Sequence, residues 1–68
     1  MIEITWNDLI DFNNDFFAGK FSTQRYGQAF ICKFDPEESD SRIDHKWLWE
    51  VKDSAVAADY LIEELMEV

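Results

Sequence analysis

Hydrophobic positions recur every three to four residues near the start of the chain. Trp6, Leu9, Ile10, Phe16 and Phe17, with Asn13 among them, follow helical spacing. Thr5 followed by Asp8 resembles a capping box with a short acid and predicts the helix start, and Gly19 predicts its end. Ahead of this helix Ile2 and Ile4 alternate with Glu3, which suits a short strand or an extended lead-in. A second helix is predicted from Ser22 as N-cap, with Tyr26, Phe30 and Phe34 at i, i+4 and i+8 and Ile31 beside them. Pro36 stops it near Asp35. Gly27 falls inside that helix, where glycine costs about 1 kcal/mol relative to alanine. It is read as a point where another element comes close, against the alternative of a tolerated surface glycine.

The next ten positions, DPEESDSRID from Asp35 to Asp44, are almost all polar and are expected to form a loop with no core role. His45, Trp47, Trp49 and Val51 then alternate with Lys46, Leu48 and Glu50, a strand pattern that fits an edge strand or an extended aromatic clamp. Asp53 or Ser54 caps a last helix in which Val56, Ala57, Tyr60, Leu61, Leu65 and Val68 lie near one face. The pattern predicts a mainly α fold: a single compact three-helix domain over residues 1–68, with at most a short β element near residues 2–4 and 47–51.

The run Arg25-Tyr26-Gly27-Gln28-Ala29-Phe30, with Phe34 four residues on, resembles a group of small phage and prophage proteins that share an RxGQAF signature. In that group the signature helix is followed by an Asp-Pro turn, a short Leu-aromatic-aromatic-Glu segment, an Asp and a final helix rich in Ala and Ile. Asp35-Pro36, Leu48-Trp49-Glu50, Asp53, Ala57 and Ile62 stand here in corresponding order, so the resemblance spans residues 25 to 62. The chain departs from the pattern at Cys32, where an asparagine is expected, and in a longer stretch between Pro36 and Leu48. The resemblance implies a phage-linked origin and a shared small helical fold, not a reaction.

Charge moves the question from fold to association. Fifteen Asp and Glu against six Lys and Arg leave a net charge of −9 on 68 residues, which repels phosphate backbones and anionic headgroups. Direct nucleic-acid and membrane binding are therefore disfavoured. With 47% hydrophobic and 16% aromatic residues the chain carries enough apolar surface to fold rather than stay disordered. The charge comes in blocks: −4 over residues 1–19, +3 over 20–34, −4 over 35–44, 0 over 45–53 and −4 over 54–68. One cysteine, Cys32, cannot form an internal disulfide, and MIEITWND has no secretory pattern, so a cytoplasmic location is expected, in the host cell if the protein is phage-encoded.

Catalytic chemistry finds little to stand on. His45 is the only histidine, and a Cys32–His45 pair is set against the plainer reading of Cys32 as a small hydrophobe on a helix. Asp35, Glu37, Glu38, Asp40 and Asp44 supply oxygens for a hard cation, but the sixth and twelfth positions counted from Asp35 are Asp40 and Lys46, not the Gly and Glu of a calcium loop. No enzyme activity, metal or cofactor is expected. Trp47 and Trp49 are weighed as core residues, Trp49 before Trp47, or as an exposed hot spot.

The acids carry the functional reading. Asp8, Asp11 and Asp15 recur at i, i+3 and i+7 on the first helix, and Asp59, Glu63, Glu64 and Glu67 cluster on the last, where acids oppose the helix dipole. With Trp47 these residues form the expected partner-binding set. The expectation is an inhibitor that imitates nucleic-acid phosphates and occupies the basic surface of a DNA- or RNA-handling protein. The alternatives are a solvated face that only keeps the protein soluble, and a self-associating scaffold protein that buries Trp47, Trp49 or an apolar helix face against another copy.

Overall fold

The computed structural model describes residues 2–66, and Glu67 and Val68 of the expected last-helix face lie outside them. The described residues form four helices, α1 (Trp6–Phe17), α2 (Tyr26–Phe34), α3 (His45–Glu50) and α4 (Ser54–Leu61), the last running into a π-helical turn over Ile62–Met66. The mainly α expectation holds. The described residues hold four helices rather than three, and the allowance of at most a short β element is left unused: Ile2–Ile4 is a lead-in, and no strand occurs among the described residues.

Local chemistry explains the helix ends. Thr5 Oγ1 accepts the Asp8 N–H and Asp8 accepts the Thr5 N–H in return, so the capping box is complete. At the other end Gly19 N–H bonds Phe16 O and Lys20 N–H bonds Asp15 O, a Schellman pair with Gly19 at φ +89 just past the cap, Ala18. The second helix begins later than expected. Its N-cap is Arg25, not Ser22, because the Gln28 side chain accepts the Arg25 N–H while residues 22–24 belong to a turn closed by Gln24 N–H on Phe21 O.

Helix α2 is the central element and packs against the other three helices. Phe12 on α1 is fully buried against it, its ring 5.0–5.7 Å from those of Phe21, Tyr26, Phe30 and Phe34. Leu9, Ala29, Ile31, Ile43, Leu48, Ala57 and Leu61 are buried in the same core. The buried Tyr26 hydroxyl donates to Asn13 Oδ1, and burial pushes its pKa up to about 12.

The segment 45–51 overturns the strand reading. Asp44 caps a six-residue helix by accepting the Trp47 N–H, and its own N–H donates to the Tyr60 hydroxyl on α4 at 2.7 Å. In a helix Leu48 points inward and is fully buried, whereas alternation put it on the polar side. The far end of α3 is held by the Arg25–Phe30 run. Its last four carbonyls need partners: Val51 N–H takes Trp47 O, Gln28 Nε2 donates to Trp49 O at 3.0 Å and Arg25 donates to Glu50 O at 2.9 Å. The remaining Leu48 carbonyl lies directly against Gly27, so the close approach expected at this glycine is backbone on backbone.

The acidic loop after α2 does have a core role, contrary to its reading as a solvated stretch. Asp35 and Asp40 are 2% and 0% exposed, and Ile43 is buried beside them. Asp40 accepts the N–H groups of Ile2 and Arg42 and pairs with the Arg42 guanidinium at 2.6 Å. Asp35 accepts from the Ser39 N–H and hydroxyl, from the Asp40 N–H and from the His45 ring at 2.7 Å. A short polar segment can be buried when its carboxylates take up its own backbone donors.

These bonds fix the response to acid. Arg42 above all, working against burial and joined by backbone donors, holds the Asp40 carboxyl well below the usual range. For Asp35 burial pushes upward, and the bonds from His45, Asp40 and Ser39 outweigh it, leaving the group below the usual range as well. Both carboxyls therefore stabilise the fold fully above about pH 4, and that contribution is lost as pH falls through their depressed folded values. Asp40→Asn is expected to cost about 2 kcal/mol at pH 7 in urea unfolding. It should also flatten part of the stability decline below about pH 4. An acid profile identical to that of the wild type would show that Asp40 does not carry it.

Candidate functional site

The acids divide by what they touch. Asp8, Asp44 and Asp53 cap helices, and Asp35 and Asp40 are buried bond acceptors. Asp15 pairs with Lys20 at 3.2 Å. Of the expected row on α1, Asp11 alone is free of such work, although all three carboxylates lie off the buried Leu9 and Phe12 stripe. Asp59, Glu63 and Glu64 are exposed and form no ion pair among the described residues. Glu67 lies outside the described residues.

The bases are spent differently. Arg25 and Arg42 are turned to carbonyls and a buried carboxylate, and Lys20 sits on Asp15. Arg25, Arg42 and Lys20 are thus engaged within the fold, and Lys33 lies over the Phe34 ring at 5.5 Å, while Asp11 on α1 and Asp59, Glu63 and Glu64 at the α4 end face outward.

Two surfaces escaped the sequence reading. On α1, Trp6, Ile10 and Phe17 share one exposed face, Phe17 at 69%, while Leu9, Phe12 and Phe16 turn toward the core. The signal was present: apolar residues on this helix span a wider arc than one neighbour can cover. Trp47 and Trp49 are also outside the core, flanking the buried Leu48, with Trp47 leaning on Tyr60 at a ring distance of 4.7 Å.

The second surface is a cavity of about 320 Å³ lined by Glu38, His45, Lys46, Trp49 and Glu50. Four of these stand at i, i+1, i+4 and i+5 of α3, positions that a strand reading scatters to both faces and a helix gathers on one side. His45 is only 13% exposed at its side chain and is oriented through Nε2 by the buried Asp35. Cys32 is exposed and takes a weak bond from Gln24, so the Cys32–His45 pairing is not formed. Among the described residues no group of three His, Cys, Asp or Glu side chains is placed to hold a metal ion, and no helix is long and apolar enough to cross a membrane.

Comparison with known proteins gives no relative to argue from: no family model, curated protein or solved structure matches the chain.

Proposed function

We propose that this is a small acidic binding protein, of the phage type that its Arg25–Phe30 run resembles, which occupies the basic surface of a nucleic-acid-handling partner and inhibits it by presenting carboxylates in place of phosphates. The observation that carries this reading is the sorting of charge. Arg25, Arg42 and Lys20 are engaged within the fold, while Asp11, Asp59, Glu63 and Glu64 face outward on helical supports with no ion pair among the described residues. Outward carboxylates on helical supports attract an oppositely charged surface, and that attraction weakens with salt.

The test is capture from a bacterial lysate at about 0.05 M and about 0.5 M salt, where the screening length falls severalfold. Nucleic-acid-binding proteins are expected on the immobilised protein at low salt only, and none on the variant carrying Asp11→Asn, Asp59→Asn, Glu63→Gln and Glu64→Gln. That variant leaves the capping and buried acids intact, so its melting temperature should hold. Retention indifferent to both salt and the four substitutions removes charge imitation.

The exposed face of Trp6, Ile10 and Phe17 favours a second reading, self-association through α1 with the acids serving solubility. Sedimentation separates the two, because a monomer at every concentration excludes it.

A further inference from the structure

The cavity beside α3 plays no part in the outward acidic faces, yet it is more firmly built than they are. One of its lining residues, His45, is held at 2.7 Å by Asp35, which is itself fixed by two backbone N–H groups and the Ser39 hydroxyl. Glu38 reaches the rim from a turn closed by its N–H on Asp35 O, with φ +53, a left-handed conformation uncommon for a residue with a side chain. Trp49 and Glu50 stand on the end of α3, whose carbonyls are tied to Gln28 and Arg25. The site therefore offers an indole 43% exposed, two carboxylates, one ammonium and an oriented imidazole.

We infer that this cavity receives a guanidinium group, the head of an arginine on a partner protein. An anion would meet Glu38 and Glu50 against Lys46 alone. An apolar group would leave the charged side chains of Glu38, Lys46 and Glu50 without partners. Glu38, His45 and Glu50 are not placed to hold a metal ion together, as no group of three His, Cys, Asp or Glu side chains is so placed among the described residues. A planar, weakly hydrated cation meets both features, since it stacks on an indole face and forks to carboxylates. The source of the arginine rests on the reading of a basic partner, whereas the chemistry of the cavity does not.

The experiment uses the intact protein and a blocked arginine, N-acetyl-arginine amide, so that it succeeds or fails independently of lysate capture. Titration followed by two-dimensional NMR is expected to give saturable shifts at the Trp49 indole and at Glu38, His45 and Glu50, with a dissociation constant on the order of millimolar for so small a ligand. Glu38→Gln and Glu50→Gln should each weaken binding about threefold or more, and Lys46→Gln should tighten it by a similar factor. Glu3→Gln, at an exposed acid with no assigned role, should leave it unchanged. N-acetyl-citrulline amide, equal in shape and uncharged, should not compete. The inference is overturned by the absence of saturable shifts, by equal binding of the citrulline compound, by weaker binding after Lys46→Gln, or by shifts confined to the acids of α1 and α4.

Discussion

Replacing Gly27 by alanine is expected to leave the protein unfolded or barely folded, although alanine is the better helix former by about 1 kcal/mol. A Cβ at this position would lie 2.8 Å from both the carbonyl carbon and the Cγ of Leu48, and closer still to the carbonyl oxygen. The obstacle is backbone, so relief requires moving the end of α3. That movement draws Leu48 out of the core and stretches the bonds from Gln28 to Trp49 O and from Arg25 to Glu50 O. Overpacking at about 1–3 kcal/mol and two weakened bonds at about 1 kcal/mol each consume most of the stability expected of a small domain. A melting temperature lowered by more than about 10 °C is the expected result, since each kcal/mol shifts a domain of this size by about 4–8 °C. Gly19→Ala provides the contrast. Nothing lies within 4 Å of its missing side chain, so only the left-handed φ of +89 is penalised, at about 1–2 kcal/mol. If Gly27→Ala melts within a few degrees of the wild type, α3 is not seated on α2 as described.

Phe12→Ala should be nearly as damaging, by about 3–5 kcal/mol. The ring is fully buried and meets Tyr26, Phe30 and Phe34 edge-on, so its loss leaves a cavity that three aromatic neighbours on α2 cannot fill by small rotations. Phe30→Ala should fall in the same range, because that side chain is equally buried and packs on both Phe12 and Phe34. Phe17→Ala on the same helix is the internal control, since at 69% exposed it should change unfolding free energy by under about 0.5 kcal/mol. Chemical denaturation of the three variants reads the difference directly. Equal effects of Phe12→Ala and Phe17→Ala would mean that α1 buries a different face. The same pair bears on association: if Phe17→Ala leaves folding intact but abolishes a dimer, the exposed α1 face is the contact between copies.

The six residues Arg25–Phe30 acquire a physical meaning from these contacts. Gly27 makes room for the Leu48 carbonyl, Gln28 and Arg25 bond the two carbonyls after it, and Tyr26, Ala29 and Phe30 form the floor of the core. The run is thus a receptor for the end of α3 within the same chain. None of its atoms is needed to explain binding to a partner, which is why the candidate surfaces lie elsewhere.

What the sequence determined by itself was set by interactions within about four residues. The Thr5–Asp8 box, the Gly19 turn, the Asp53 cap and the stop at Asp35 before Pro36 all depend on a side chain and a backbone group that are close neighbours in the chain, and all stand where the residues place them. Gly27 was legible as a close approach because a glycine inside an apolar helical stripe has a cost that calls for a reason. Only the tertiary structure decided the rest. Whether His45–Val51 alternates or turns was undetermined over so few residues, and it was settled by donors from Arg25 and Gln28 and a hydroxyl from Tyr60, all at least sixteen positions away. The burial of Asp35 and Asp40 likewise depended on His45, Ile2 and Arg42 converging on one loop. The exposure of Trp6, Ile10 and Phe17 followed from a limit of geometry, because α2 covers one arc of α1 and the apolar residues occupy two. The cavity at Glu38, His45, Lys46, Trp49 and Glu50 exists only because α3 is a helix, so no reading of the segment as a strand could have brought its side chains together.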